Sequence, residues 1–351
     1  MKRNEPVILI ALSIFGYVRP TDSFVIQVQK PIPFEFSKID RKMGVDTDPF
    51  DVFDESDGER EETAREAPVL RDPENGVLMF HGGTERALLV FVKNNLSREQ
   101  LALPPSDKLV LLIDLIDRFC YERHWMMNIG PEKGKTLEQF LGECLEANRA
   151  KTRDPFTFVE LGTYCGYSCL RFLHRILQVR EVGQFHIFTV DIEIERIQIA
   201  KEFVAMAGLQ DCVTFLQVSG AHLPGDTQAL SGLILNAMQK RLRSRTESVP
   251  RIDFLFIDHE KAAYLSDFQQ LQSNHFIQEG TYVAADNVLF HGIDDYRSYI
   301  AYLVKEGVVT SRLVEGSLEY VNELTLQQER HLLKVRDGIE LTVFQKTPSL
   351  D

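Results

Sequence analysis

Five short, mostly apolar runs recur along the chain, and each gap between them is long enough to hold a helix. The runs cover residues 156–161, 185–190, 213–218, 252–257 and 281–285. Runs of this kind are typical of strands that are buried on both faces of a parallel sheet, whose neighbouring strands need crossover connections. The pattern therefore predicts an α/β fold with a doubly wound, mostly parallel sheet.

The region before the first run predicts helices. Leu109, Leu112 and Ile116 lie at helical spacing after a Pro-Pro-Ser-Asp start, and apolar residues repeat in the same way over 137–145. A repeat of three and four residues indicates a helix with one buried face. We therefore expect helices ahead of the sheet in the chain.

The N-terminal part of the chain has a different composition. Lys2 and Arg3 precede an apolar run over 7–18, which is typical of a signal peptide or short hydrophobic anchor, with a buried strand as the alternative. The residues that follow are rich in Pro, Asp and Glu and predict a disordered linker. We expect a signal peptide or anchor over 1–20, an acidic linker over 21–80 and a folded domain over 81–351.

Two observations point to different compartments. The apolar run over 7–18 predicts entry into the secretory pathway or association with a membrane. The five cysteines form an odd number without metal-finger spacing, which indicates free thiols in a reducing compartment, cytoplasmic or organellar. The sequence leaves this choice open.

The charge balance excludes one class of partner. The chain has 39 basic and 52 acidic residues, and ten of the acids lie between positions 46 and 66 together with two bases. Proteins that bind nucleic acid need a basic surface to neutralise phosphates. We therefore expect no nucleic-acid partner.

A glycine-containing loop follows the first apolar run. Glu160 ends that run, and Gly162 and Gly166 follow it. Ligands of open parallel sheets bind beyond the carboxyl ends of the strands, and glycine allows a backbone to approach them closely. The loop lacks the G-x-G-x-x-G pattern and the Walker lysine, which disfavours a phosphate ligand. A purely structural turn is the alternative.

The next two runs suggest an adenosine-containing ligand. Asp191 ends the second run, where an acid is well placed to accept the hydroxyls of a ribose. The third run leads to Gly220, Ala221 and His222, against which an adenine ring could lie. S-adenosylmethionine contains adenosine without a polyphosphate and fits this pattern. The alternative is that these are ordinary loop residues.

Oxygen donors follow the last two runs. Asp258 comes after the fourth run, Asp286 and Asn287 come after the fifth, and Lys261 lies three residues beyond Asp258. Two carboxylates and an amide are ligands that a hard cation such as Mg²⁺ prefers. The alternatives are a helix cap at Asp286-Asn287 and a solvated surface lysine at position 261.

From about position 86 to 346 the chain resembles the catechol O-methyltransferase family. Five blocks carry the resemblance in the same order, at 125–134, 160–168, 258–261, 285–288 and 317–320. The resemblance implies a Rossmann-like class I methyltransferase with a seven-stranded sheet, a final antiparallel strand over 339–344 and N-terminal helices that cover the site. It also implies methyl transfer from S-adenosylmethionine to a hydroxyl of a catechol chelated by Mg²⁺.

The resemblance also assigns roles to individual residues. It implies Lys261 as the general base and Glu319 as the acid that holds the second catechol hydroxyl. The implied metal ligands are Asp258, Asp286 and Asn287. The implied substrate contacts are Trp125, Met127, Asn287, Glu260 and His291. The implied cofactor contacts are Ile129, Glu160, Gly162, Tyr164, Tyr167, Ser168, Asp191, Ile192, Gly220, Ala221, His222, Asp258 and His259.

The chain departs from the family at four of these positions. Asp191 stands for a glutamate, His222 for a serine, Glu260 for an apolar aromatic residue and His291 for a proline. An acid and an imidazole beside the catechol ring predict a preference for amine-bearing or polar catechols over acidic ones. The alternative is that Glu260 points to solvent.

We expect a monomer that acts on a small catechol. Another vicinal-dihydroxy phenolic, such as a phenylpropanoid or flavonoid, is an alternative substrate. A cofactor-binding interaction protein without catalysis is an alternative of another class, which the intact set of candidate catalytic residues disfavours.

Overall fold

The computed structural model describes residues 83–149, 155–218, 229–242, 250–289, 293–320 and 336–348. The signal peptide or anchor and the linker expected over 1–80 lie outside these ranges. So do Gly220, Ala221, His222 and His291, whose expected roles stay predictions. In the described part of the chain, no helix combines the length and the apolar character needed to cross a membrane.

In the described part of the chain, four helices precede the sheet: α1 (Thr84–Asn94), α2 (Arg98–Leu101), α3 (Pro105–Glu122) and α4 (Gly130–Ala147). The apolar repeats predicted α3 and α4. The helices that alternate with strands are α5 (Tyr167–Leu177), α6 (Ile194–Ala207), α7 (Ala229–Leu242), α8 (Tyr264–Ser273) and α9 (Asp294–Lys305). Short 3-10 turns lie at Gln210–Cys212 and Lys261–Ala263.

The strands are β1 (Phe156–Leu161), β2 (Phe185–Asp191), β3 (Val213–Gln217), β4 (Phe254–Ile257), β5 (Tyr282–Ala285), β6 (Val309–Ser317) and β7 (Arg336–Phe344). They form one sheet in the order β3-β2-β1-β4-β5-β7-β6. The first five are parallel neighbours, and β7 runs antiparallel to both β5 and β6. This sheet confirms the predicted fold class, including the final antiparallel strand.

The core has two layers because alternate residues of each buried strand point to opposite faces of the sheet. On one face, Phe158 of β1 and Phe254 of β4 stack with ring centroids 4.9 Å apart and pack against α3, α4 and α5. On the other face, Val159 and Leu255 pack with residues of α7, α8 and α9. Both faces are covered, which explains why the strands read as continuous apolar runs.

Helix α4 connects one layer of the core to the carboxyl edge of the sheet. Phe140 in its middle packs against Phe254 and Tyr282, with ring centroids 5.8 and 5.1 Å away. Its first turn contains Lys133, which contacts residues that follow β5 and begin β7. The order β1-β4-β5-β7 places the ends of these strands side by side, so this edge gathers the candidate site.

Candidate active site

The carboxylate that ends β1 is buried beneath the following loop. Glu160 has no exposed surface and accepts hydrogen bonds from Ser168 Oγ at 2.6 Å and from Thr189 Oγ1 at 2.5 Å. Burial raises the pKa of Glu160 to about 8, and the two hydroxyl donors oppose that rise. Glu160 and Ser168, which were both predicted as cofactor contacts, therefore contact each other.

Both glycines of the loop adopt positive φ and pack closely against protein atoms. A Cβ on Gly162 (φ 103°) would lie 2.3 Å from the carbonyl oxygen of Asp258, and one on Gly166 (φ 83°) would lie 2.8 Å from Ala200 Cβ. Any side chain at Gly162 would push the β1 loop away from the end of β4. The loop is therefore a tight turn that packs against the end of β4 and against Ala200.

The acid that ends β2 holds the β1 loop. The Asp191 carboxylate accepts hydrogen bonds from the backbone N–H groups of Tyr164 at 2.7 Å and Glu193 at 2.9 Å. Each carboxylate oxygen has a second lone pair, so Asp191 can still accept hydrogen bonds from a ligand. The adjacent Ile192 side chain is exposed.

His259, after β4, has one nitrogen engaged and one that is not. Its Nε2 lies 2.8 Å from Asp267 Oδ2, and its ring stacks on Tyr264 at a centroid distance of 5.2 Å. Its Nδ1 is buried and has no hydrogen-bond partner among the described residues. Buried polar atoms normally have a partner, so this nitrogen fits a site that a ligand completes.

Lys261 and Asp258 form an ion pair at the end of β4. Lys261 Nζ donates to Asp258 Oδ1 at 3.0 Å and to the Tyr264 hydroxyl at 2.8 Å, and that hydroxyl donates to the backbone oxygen of Asp286 at 3.0 Å. The Lys261 side chain is only 12% exposed. It is therefore not the solvated surface lysine that the sequence left as an alternative.

A second lysine, which the sequence analysis missed, reaches the same edge from α4. Lys133 Nζ lies 2.7 Å from Asp286 Oδ2 and 2.7 Å from Asp337 Oδ2. The two carboxylates keep its pKa above the usual value despite its burial. Lys133 lies within the block over 125–134 that carries the family resemblance, but its spacing alone is that of an ordinary helical lysine.

Asn287 follows Asp286 in a left-handed conformation, with φ 55°. Its Nδ2 donates to Asp337 Oδ2 at 3.0 Å and to Asp337 Oδ1 at 3.2 Å. Its backbone N–H donates to Asp286 Oδ1 at 2.8 Å. A non-glycine residue in this region is uncommon and is often found at functional sites.

The edge of the sheet carries more acid than base. The carboxylates are those of Asp258, Asp286, Asp337 and Glu319, and the ammonium groups are those of Lys133 and Lys261. Burial raises the pKa of Asp258 to about 6, with Lys261 opposing the rise and Asp286 adding to it. When all are ionised, this set is left with two uncompensated negative charges, which fits an oxygen-seeking divalent cation.

The set differs from a conventional metal site. Within the described residues, no three His, Cys, Asp or Glu side chains converge as metal ligands. The candidate ligands are two carboxylates and one amide, and ammonium groups contact both carboxylates. The donors therefore suit a hard cation that keeps several water ligands, as Mg²⁺ does.

Glu319 is held over the first turn of α4. Its Oε1 accepts a hydrogen bond from the backbone N–H of Lys133 at 2.6 Å, and its backbone oxygen accepts one from Trp125 Nε1 at 3.0 Å. A Cβ on Gly130 (φ 67°) would lie 2.4 Å from Glu319 Cδ. Burial raises the pKa of Glu319 to about 7, against the opposing effect of the Lys133 N–H.

Tyr320 fixes the backbone beside Glu319. It adopts φ 59°, and its hydroxyl donates to Asp117 Oδ1 of α3 at 2.7 Å. Its ring also packs edge-on against Tyr121 of α3 at 5.0 Å. The helices before β1 therefore position Glu319 from two sides.

The remaining predicted contacts lie around this edge. Ile129 is buried and precedes the first turn of α4, and Met127 is partly buried in the preceding segment. Tyr167, at the start of α5, is buried and its hydroxyl accepts a hydrogen bond from Arg171 at 3.0 Å. Glu260 is exposed, and its carboxylate accepts a hydrogen bond from the Ala262 N–H at 3.4 Å.

Comparison with known proteins identifies related chains. A family model described as O-methyltransferase matches residues 106–343. Catechol O-methyltransferase B of Danio rerio is 30% identical over 234 residues, 66% of this chain and 71% of that protein. Catechol O-methyltransferase of Mus musculus is 29% identical over 277 residues, 79% of this chain and 84% of that protein. An O-methyltransferase structure from Bacillus cereus in complex with SAH is 16% identical, with a TM-score of 0.44, and covers 74% of this chain and 97% of that one.

Proposed function

Because this chain belongs to the O-methyltransferase family, we propose that it transfers a methyl group from S-adenosylmethionine to one hydroxyl of a catechol bound to Mg²⁺. The family membership agrees with the resemblance seen in the sequence. The proposal assigns the cofactor, the cation and the catechol on the basis of the residues at the carboxyl edge of the sheet.

The observation that carries the proposal is the excess of carboxylates beside Lys261. A catechol offers two adjacent oxygens, and a divalent cation between them and the carboxylates of Asp258 and Asp286 would balance the charge of this edge. Phenols have a pKa of about 10, so a free catechol hydroxyl is a weak nucleophile at neutral pH. When bound, Mg²⁺ would supply positive charge that favours the oxyanion.

Lys261 is the candidate general base. Its ammonium uses two N–H groups in the hydrogen bonds to Asp258 and Tyr264. A neutral amine keeps two N–H groups and gains a lone pair, so both hydrogen bonds can persist while the lone pair accepts the hydroxyl proton. This arrangement would hold the base in place throughout the proton transfer.

Glu319 and Trp125 are candidates for orienting the catechol. Glu319 Oε1 is engaged by the Lys133 N–H, which leaves Oε2 to accept a hydrogen bond from the second hydroxyl. The Trp125 indole is fixed through its hydrogen bond to the Glu319 backbone and can serve as an aromatic wall. Holding both partners at reacting distance is the main contribution expected of such a site.

S-adenosylmethionine would lie along the ends of β1, β2 and β4. Asp191 has lone pairs for ribose hydroxyls, and His259 Nδ1 is a buried polar atom that a ligand could engage. Gly162 lets the loop after β1 lie tight against the end of β4, because a Cβ there would meet the Asp258 carbonyl oxygen. The bound cofactor would supply the electrophilic methyl group.

A methyl-transfer assay with a panel of catechols, with and without Mg²⁺, tests the proposal. We expect methylated catechol from S-adenosylmethionine, loss of activity after chelation and recovery when Mg²⁺ is restored. Full activity after exhaustive chelation would refute the cation's role. Absence of transfer to every catechol would refute the substrate class.

Two other functions are separated by the same experiment. Another vicinal-dihydroxy phenolic would use the same residues, and a higher kcat/KM for phenylpropanoids or flavonoids than for simple catechols would identify it. A protein that binds S-adenosylmethionine without catalysis would bind the cofactor but methylate nothing. The arrangement of Lys261 beside Asp258 favours an active enzyme.

A further inference from the structure

Asp337 is a buried carboxylate to which the function proposed above assigns no contact with substrate, cofactor or cation. It lies near the start of β7, opposite Gly316 of β6, and its side chain has no exposed surface. Removing a carboxylate from water is costly unless charged or polar partners replace the lost hydration. An acid at this position therefore calls for an explanation beyond the pairing of β7 with its neighbours.

Its partners all belong to the edge that holds the candidate cation ligands. Asp337 Oδ2 accepts hydrogen bonds from Lys133 Nζ at 2.7 Å and from Asn287 Nδ2 at 3.0 Å. Asp337 Oδ1 accepts one from the Gly338 N–H at 2.7 Å. The carboxylate thus joins three elements at a single point: α4, β7 and the segment that follows β5.

The contact with Asn287 sets the direction of its amide. An ionised carboxylate can only accept hydrogen bonds, so the NH₂ group of Asn287 must be the end that faces Asp337. The amide oxygen is then on the other edge of the same planar group. An amide held in this way presents its oxygen, which is the atom that binds a hard cation.

The contact with Lys133 sets the charge beside Asp286. The Lys133 ammonium lies between Asp286 and Asp337, at 2.7 Å from an oxygen of each. Asp337 therefore holds the ammonium on one side and keeps it from pairing with Asp286 alone. Asp286 retains more negative charge for a cation than it would in an isolated ion pair.

We propose that Asp337 is a positioning residue for the divalent cation: it orients the Asn287 amide oxygen and shares the Lys133 ammonium with Asp286. This inference rests on the proposed function, since it concerns the cation of that site. Residues that hydrogen-bond to metal ligands typically change metal affinity by about 10–100-fold when they are replaced. We expect an effect of that size at Asp337.

Binding of Mn²⁺ to the whole chain tests the inference without catalysis. Electron paramagnetic resonance measures this binding as the loss of the signal of free Mn²⁺. Asp337→Asn keeps the size of the side chain but removes its charge, and should raise the Kd for Mn²⁺ by about 10–100-fold. Glu340→Gln is the matched control, because Glu340 is also a buried acid of β7 but its carboxylate pairs with Ser311 and Arg297 rather than with Lys133 or Asn287. It should leave the Kd unchanged.

A double-mutant cycle with Asn287→Ala separates positioning from general destabilisation. If Asp337 acts through the Asn287 amide, Asp337→Asn should weaken Mn²⁺ binding less in the Asn287→Ala background than in the wild type. Should Asp337→Asn fail to fold, as judged by its thermal transition, Asp337→Glu replaces it, because this variant keeps the charge and displaces the carboxylate. It should weaken Mn²⁺ binding as well.

The outcomes distinguish the inference from the function on which it rests. Wild-type protein that binds no Mn²⁺ would overturn both. Wild-type protein that binds Mn²⁺, together with a folded Asp337 variant of equal affinity, would overturn the inference alone. Equal losses of affinity in Asp337→Asn and Glu340→Gln would show a nonspecific effect of buried charge and would also overturn it.

Discussion

Lys133→Met removes the ammonium that lies between two buried carboxylates and keeps a side chain of similar length. Asp286 and Asp337 are 1% and 0% exposed, and each loses a contact of 2.7 Å. Removing one partner of a buried ion pair typically costs about 3–5 kcal/mol, because the remaining charge is left without compensation. We therefore expect the free energy of unfolding to fall by about 3–5 kcal/mol at neutral pH without a divalent cation.

Urea denaturation of the wild type and the variant measures this loss. Lys93→Met is the matched control, since Lys93 pairs with Glu202 in an ion pair whose side chains are 47% and 44% exposed. Exposed ion pairs contribute about 0–1 kcal/mol. The loss in Lys133→Met should shrink below neutral pH, because protonation removes the uncompensated negative charge, and it should shrink when Mg²⁺ binds the folded protein. A loss no larger than that in Lys93→Met would refute the reasoning.

Four further predictions concern single residues. Lys261→Met should lower kcat far more than it weakens S-adenosylmethionine binding, because a base acts in the transition state; equal kcat values in the two proteins would exclude this role. Asp191→Ala should raise the Kd for S-adenosylmethionine, measured by calorimetry, about 10-fold or more, because it removes hydrogen bonds to a charged group. An unchanged Kd would contradict the proposal that Asp191 binds the ribose hydroxyls. Burial raises the pKa of Glu160 from 4.5 to about 8, so between these pH values the folded protein retains a proton that the unfolded chain loses. The stability of the wild type should therefore fall as the pH rises through this range. Thermal melts of Glu160→Gln should show a flatter dependence on pH. Glu260→Gln keeps an acceptor for the Ala262 N–H but removes a charge. It should lower the ratio of kcat/KM for amine-bearing catechols to kcat/KM for carboxylated ones. If this ratio is unchanged, Glu260 does not set the preference.

The candidate cation ligands that sequence reasoning found at the site share one property: each follows a strand. Asp258 and Asp286 come directly after β4 and β5, which are neighbours in the sheet. The carboxyl ends of parallel strands meet at one edge, so an apolar run followed by an acid already indicates where that acid lies. Lys261 is three residues from Asp258, and their ion pair depends on local chain geometry.

The residues that sequence reasoning missed are joined across long stretches of chain. Lys133 is 153 residues from Asp286 and 204 residues from Asp337. The expected last strand began at position 339, whereas β7 begins at Arg336, so Asp337 lies in a part of the strand that the apolar pattern did not include. For Glu260, the sequence left open whether the side chain faces the substrate or solvent, and the structure shows that it is exposed.

By itself, the sequence determined the fold class, the five parallel strands and the acids at their ends, because short apolar runs and helical repeats are local properties of the chain. Only the tertiary structure decided that Lys133 neutralises Asp286 and Asp337 and that its backbone N–H holds Glu319. These contacts depend on how α4 docks against the sheet and on the register of β7 between β5 and β6. Both are set by the packing of whole elements, which no local period records.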